Sequence, residues 1–178
     1  GPSNPGKTKD VDDESSYGMH ASLLFMPTDN LTIAPKIMFQ RTESDGFPWA
    51  DVRPGNFDQL RGVGIDEPYD EKLLSASLSI EYDLDWAIFV SATSYVKQET
   101  QDTEDFSDFI SFPPIFGLTS PFPGVIVSDG IFEKTVQEFR LSSQLDGPLQ
   151  FVVGAYFSKE REPRHRETFS PGFENAVA

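Results

Sequence analysis

Cysteine is absent from the 178 residues, which removes disulfides, thiol nucleophiles and thiolate-held metal sites together. Positive charge is scarce: 14 Lys and Arg against 29 Asp and Glu leave a net charge of −15. That field repels nucleic acid and anionic headgroups, so neither is expected as a direct partner. The only histidines, His20 and His165, lie far apart in the chain, which is no basis for a metal pair. Also missing are the nucleophile elbow, the P-loop, the dinucleotide-binding fingerprint and the HExxH helix. No enzyme, cofactor or metal site is therefore expected. Finally, no run of about 18 apolar residues occurs, which excludes a membrane helix. It does not exclude membrane strands, which need only about 9 to 11 alternating residues each.

Alternation is what the chain has in place of long apolar runs. In the stretch 133–160, Phe139 and Leu141 fall on one side of an extended chain, and Glu138 and Arg140 on the other. Beyond the turn at Asp146-Gly147-Pro148, Leu149, Phe151, Val153, Ala155 and Phe157 line one side, opposite Gln150, Gly154 and Ser158. Successive side chains of a strand point to opposite faces, so this period of two predicts a hairpin. The same pattern runs through residues 15–25, 31–41, 72–82 and 86–98, with Ile88, Val90 and Ala92 on the apolar side of the last. Pro35 predicts a bulge or break, since proline has no N–H for a ladder. The expectation is an all-β fold of about six antiparallel up-and-down strands.

The connections alternate short, long, short, long, short, with residues 42–71 and 99–132 as the long ones. Thirty-residue connections are foreign to a compact sandwich, whereas outer-membrane barrels pair short turns at one rim with long loops at the other. Phe25, Tyr82, Trp86 and Phe151 gather near the short turns, and Tyr17, Phe39 and Phe157 near the long loops, as two aromatic girdles would. The expected organisation is a loop or tail over 1–14, a barrel segment of three hairpins over 15–160, and a further loop over 161–178. A soluble β-sandwich binding module is the alternative.

The string VQEFRLSSQLDGPLQFVVGAYFSKE resembles a barrel hairpin of TonB-dependent outer-membrane receptors. PTDNLTIAPKIMFQR and SLSIEYDLDWAIFVSATSYVKQE resemble neighbouring hairpins of that family, in the same order. The resemblance covers roughly residues 9–161 and includes neither a plug domain nor a TonB box. It implies a middle portion of a larger transmembrane barrel in the outer membrane of a bacterium. The implied role is energised uptake of a scarce nutrient, siderophore-iron or a similar metal chelate. The implied partners are outer-membrane lipid, the small-molecule ligand, and TonB acting through a plug outside this chain.

Candidate ligand contacts lie in the long connections, where Phe47, Trp49, Arg53, Phe57 and Arg61, then Phe112, Phe116 and Phe122, offer aromatic faces and guanidinium groups. Lys36, Glu81, Glu138 and Arg140 fall on the side read as the lumen, where a structural ion network holding barrel to plug is the plainer role for Glu138 and Arg140. The acidic run Asp102, Glu104, Asp105 and Asp108 lacks the glycine and spacing of an EF-hand loop and reads as solvated charge.

Overall fold

A computed structural model describes residues 11–49, 64–107 and 123–170. Its strands are β1 (Glu14–Ser22), β2 (Phe25–Thr28), β3 (Leu31–Ser44), β4 (Tyr69–Asp83), β5 (Ala87–Asp105), β6 (Val125–Ser143), β7 (Val152–Arg161) and β8 (Arg164–Phe169). All belong to one antiparallel sheet in the order β1-β3-β4-β5-β6-β7, with β2 on β3 and β8 on β6. No helix of the described residues is long and apolar enough to cross a membrane.

Eight strands make six arms, so the up-and-down architecture read from the alternation is the one observed. β1 and β2 both pair with β3, and β8 holds on β6 the same register as β7. The break expected at Pro35 appears in the arm beside it instead. β3 runs unbroken, with Pro35 opposite Leu78, while the β1–β2 arm lapses at Leu23 and Leu24, alongside Pro35 and Ala34. Proline lacks a donor but keeps its acceptor, and the Pro35 carbonyl still receives the Leu23 N–H at 3.0 Å.

The short turns are held by their own polar side chains. Asp85 takes a left-handed φ of 68°, and its N–H donates to Asp83 Oδ1 at 2.9 Å, an Asx turn that needs no long loop. In the 144–151 turn, Gln150 Oε1 accepts from Ser143 Oγ at 2.9 Å, and its Nε2 donates to the Leu145 carbonyl.

The long connections are shorter than the sequence suggests. β5 continues to Asp105 and β6 begins at Val125, paired throughout. β8 occupies part of 161–178, read above as loop. Between Arg161 and Arg164 the arm is interrupted at Glu162-Pro163, and the Pro163 carbonyl accepts the Ile131 N–H at 3.0 Å.

This sheet has no second layer over it among the described residues. Ala87 and Ile126 are the hydrophobic residues that become buried, at 0% and 4% exposure, while Met19, Phe25, Ile37, Val153 and Phe157 stay more than half exposed. The stacked sheets of a sandwich, which would bury such side chains, are not what these residues form.

Candidate functional site

The ladder fixes which side chains share a face, because directly paired residues point the same way. Phe25, Ile33, Ile80, Ser91, Phe139 and Ala155 form one such row, and Leu31, Tyr82, Phe89, Leu141 and Val153 another. This is the apolar face. On the opposite face lie Lys36, Glu81, Glu138 and Arg140, all exposed. None of these four forms an ion pair among the described residues.

One strand departs from the sequence reading. Pairing of Tyr82 with Phe89 and of Glu81 with Val90 puts Ile88, Val90 and Ala92 on the polar face and Phe89 and Tyr95 on the apolar one. The start of β5, Ile88-Phe89-Val90, is apolar on both sides, so alternation alone does not fix its phase. The apolar face also carries a polar island. Thr93 Oγ1 donates to Gln137 Oε1 at 2.5 Å, and Gln137 Nε2 donates to Ser91 Oγ at 3.1 Å and to the Glu138 carbonyl at 3.1 Å. These groups satisfy one another, which lowers the cost of keeping them away from water.

Cations bound the apolar face on the side of the long connections. Arg41 lies directly opposite Lys72. Lys97 lies opposite Leu74, two residues nearer the short turns, and Lys159 lies opposite Thr135, two residues nearer again than Glu133, the partner of Lys97. The boundary thus drops four residues over the four steps from β3 to β7, about one residue per strand, which is the stagger of tilted strands in a barrel wall. Lys97 donates to Glu99 at 2.6 Å, and that ammonium holds the Glu99 carboxyl below its ordinary range. Arg41 bridges Glu43 and Asp70 at 2.6 and 2.8 Å.

Beyond this boundary, on the polar face, lies a concavity of about 250 Å³ between the ends of β4, β5 and β6 and the Glu162-Pro163 interruption. Tyr69, Gln98, Thr100, Asp102, Phe132 and Arg164 line it. Gly130 keeps it open: a Cβ there would sit 2.7 Å from Thr100 Oγ1. At its edge Glu71 Oε2 accepts from Tyr69 Oη and from Gln98 Nε2, both at 2.7 Å. Burial first, and the Glu71 carboxylate second, push the Tyr69 phenol well above its ordinary pKa, so it stands as a neutral donor.

Phe47 and Trp49 belong to this neighbourhood. Their rings stack at 5.2 Å, Phe47 leans on Tyr69 at 6.5 Å, and Trp49 remains 59% exposed. Arg53, Phe57, Arg61, Phe112, Phe116 and Phe122 lie outside the described residues. Sequence reasoning missed Tyr69, Glu71 and Gln98. Tyr69-x-Glu71-x-Leu73 prolongs the period of two in β4, and that was the available signal.

Other candidates are accounted for locally. Glu104 pairs with Arg166 at 2.8 Å, and Asp105 Oδ1 accepts the Ser107 N–H; Asp108 lies outside the described residues. His165 contacts Glu167 at 2.9 Å. Among the described residues no group of three or more His, Asp or Glu is placed to hold a metal. A larger concavity, about 680 Å³, opens on the apolar side beyond Arg41, lined by Asp13, Glu14, Glu43, Asp45 and Asp70, where Asp70 is already engaged by Arg41. No protein-family model matches the chain and no curated protein matches it.

Proposed function

We propose that this chain is part of the wall of a TonB-dependent outer-membrane receptor, serving energised uptake of a small nutrient molecule. The observation that carries the reading is the uncovered apolar face, bounded by Arg41, Lys72, Lys97 and Lys159. On β3 and β4 it runs over nine residues, Leu31 to Phe39 and Leu74 to Tyr82. At about 3.4 Å per residue and a tilt near 45°, nine residues cover roughly 22 Å, close to the ~25 Å apolar band of such barrels. The one-residue-per-strand drift of its cationic boundary suits a tilted wall. A sheet in water with this much apolar area exposed would aggregate.

The resemblance supplies the family. Its string VQEFRLSSQLDGPLQFVVGAYFSKE occupies β6, the turn and β7, with Phe139 and Leu141 toward the apolar face and Glu138 and Arg140 toward the other. On this reading the polar face is the lumen, the 144–151 turn is periplasmic, and Phe47, Trp49 and Tyr69 lie at the extracellular end. A plug and TonB act from outside the chain. The ligand is a small molecule, with the metal chelate implied by the resemblance as one class.

The absence of cysteine makes the test clean. Phe89→Cys and Ile88→Cys, each carrying an environment-sensitive fluorophore, are placed in lipid bilayers and exposed to quenchers confined to lipid tails or to water. Tail-bound quencher is expected to act on position 89 and aqueous quencher on position 88. Equal quenching of both positions from water would overturn the membrane assignment.

A further inference from the structure

We infer that the concavity around Gly130 is a binding subsite for a neutral polyhydroxylated ligand, a saccharide, rather than for an anionic chelate. The inference deepens the receptor reading and rests on it in taking the polar face as the interior. Three observations carry it. The first is the mix of unengaged polar groups: among the described residues the side chains of Thr100, Asp102, Glu162 and Arg164 line the concavity and form no hydrogen bond or ion pair. A guanidinium offers paired donors, a carboxylate paired acceptors, and a hydroxyl either. That set matches adjacent hydroxyl groups, each of which is donor and acceptor at once.

The second observation is the aromatic surface. Phe132 lines the concavity together with Tyr69, and Phe47 and Trp49 continue the aromatic surface outward from Tyr69. Flat rings are suited to the C–H face of a pyranose, apolar on one side while its hydroxyls reach the polar groups around it. The third is charge. Asp102 and Glu162 stand in the same wall as Arg164, Glu71 is beside it, and the chain carries −15 overall. An anionic ligand would meet more carboxylates than cations there. Tyr69 and Gln98, fixed by their shared acceptor Glu71, hold the aromatic wall in place. The volume of about 250 Å³ fits a sugar ring or two, a subsite for part of a longer chain.

The full chain in detergent micelles, in a Trp86→Phe background so that Trp49 alone reports, is titrated with cellotriose, with maltotriose and with a ferric tricatecholate. Calorimetry runs in parallel. At least one trisaccharide is expected to bind in the millimolar range or tighter. Phe132→Ala and Asp102→Asn are each expected to weaken it about tenfold, the loss of one good contact. Gly130→Val, which fills the concavity, is expected to abolish binding. Thr100→Ala, combined with Gly130→Ala to relieve the clash, controls for misfolding and should keep the strand spectrum while weakening binding. Overturning results are binding of the ferric chelate and of neither sugar, no binding at all, or sugar binding indifferent to Phe132→Ala and Asp102→Asn. A chain that inserts in lipid with position 89 toward the tails yet ignores both sugars would remove this inference and leave the receptor reading standing.

Discussion

At the scale of single residues, the two faces differ in what a charge would cost. Leu78 sits mid-strand on the apolar face between Pro35 and Thr93, and its neighbour Ser77 points the other way between Lys36 and Ser94. Leu78→Arg at the depth of hydrocarbon is expected to cost roughly 2–4 kcal/mol of stability in lipid, and Ser77→Arg much less. Denaturant titration in bilayers checks it, and equal costs would speak against a lipid-covered face. Tyr69 gives a second prediction. Its phenol is held neutral by burial and by the Glu71 carboxylate, so its pKa is higher folded than the value of about 10 in an unfolded chain. The stabilisation this implies is complete below about pH 10 and is lost as pH climbs above it. Phenolate absorbance should show one of the five tyrosines titrating late, and Tyr69→Phe should remove that component. Glu71→Gln should return only part of the shift, since burial is the larger cause.

At the scale of strands, close approach of neighbouring backbones sets the next constraint. Gly154 in β7 lies opposite Arg140, and a Cβ there would come within 2.7 Å of the Phe139 carbonyl oxygen. A backbone atom cannot step aside as the end of a side chain can, so Gly154→Ala is expected to destabilise the hairpin by about 1–3 kcal/mol. Thermal unfolding against the parent chain measures it, and an unchanged midpoint would mean that β6 and β7 separate easily. The strands also show where sequence is informative. Leu31–Arg41 and Lys72–Tyr82 were legible because one side carries large apolar residues, Ile33, Ile37 and Phe39 in the first and Leu74, Leu78 and Ile80 in the second. The other side is mostly polar, with Ala34 and Met38 as the exceptions in the first. The phase of β5 was not, because Ile88, Phe89 and Val90 are all apolar and the choice is made by pairing with Tyr82 and Glu81 in another strand. The outer ends, Val125–Gly130 and Arg164–Phe169, carry glycine or dense charge and read as loop. Their strand form is a matter of mutual pairing. Of the candidate site, Phe47 and Trp49 were visible as loop aromatics, but the concavity depends on the missing Cβ of Gly130 and the Pro163 interruption, which only the register brings together.

At the scale of the whole molecule, the sheet has two unpaired margins among the described residues, β1 with β2 on one side and β7 with β8 on the other. In water such margins invite pairing with other chains; in hydrocarbon each unpaired backbone group costs several kcal/mol. Six arms are also far fewer than the 22 strands of a plugged outer-membrane transporter. On the receptor reading both margins therefore pair with strands from outside this sheet, whether of the same polypeptide or of other copies, and the 178 residues by themselves close no pore. The chain reconstituted in planar bilayers is expected to show no stable unitary conductance, and in vesicles no ligand uptake that depends on TonB. Cross-linking should then find β1 or β7 against another copy, because a margin without its native neighbour takes the nearest available strand. Ligand-specific, TonB-dependent uptake by these residues alone would overturn the assignment to one portion of a larger wall.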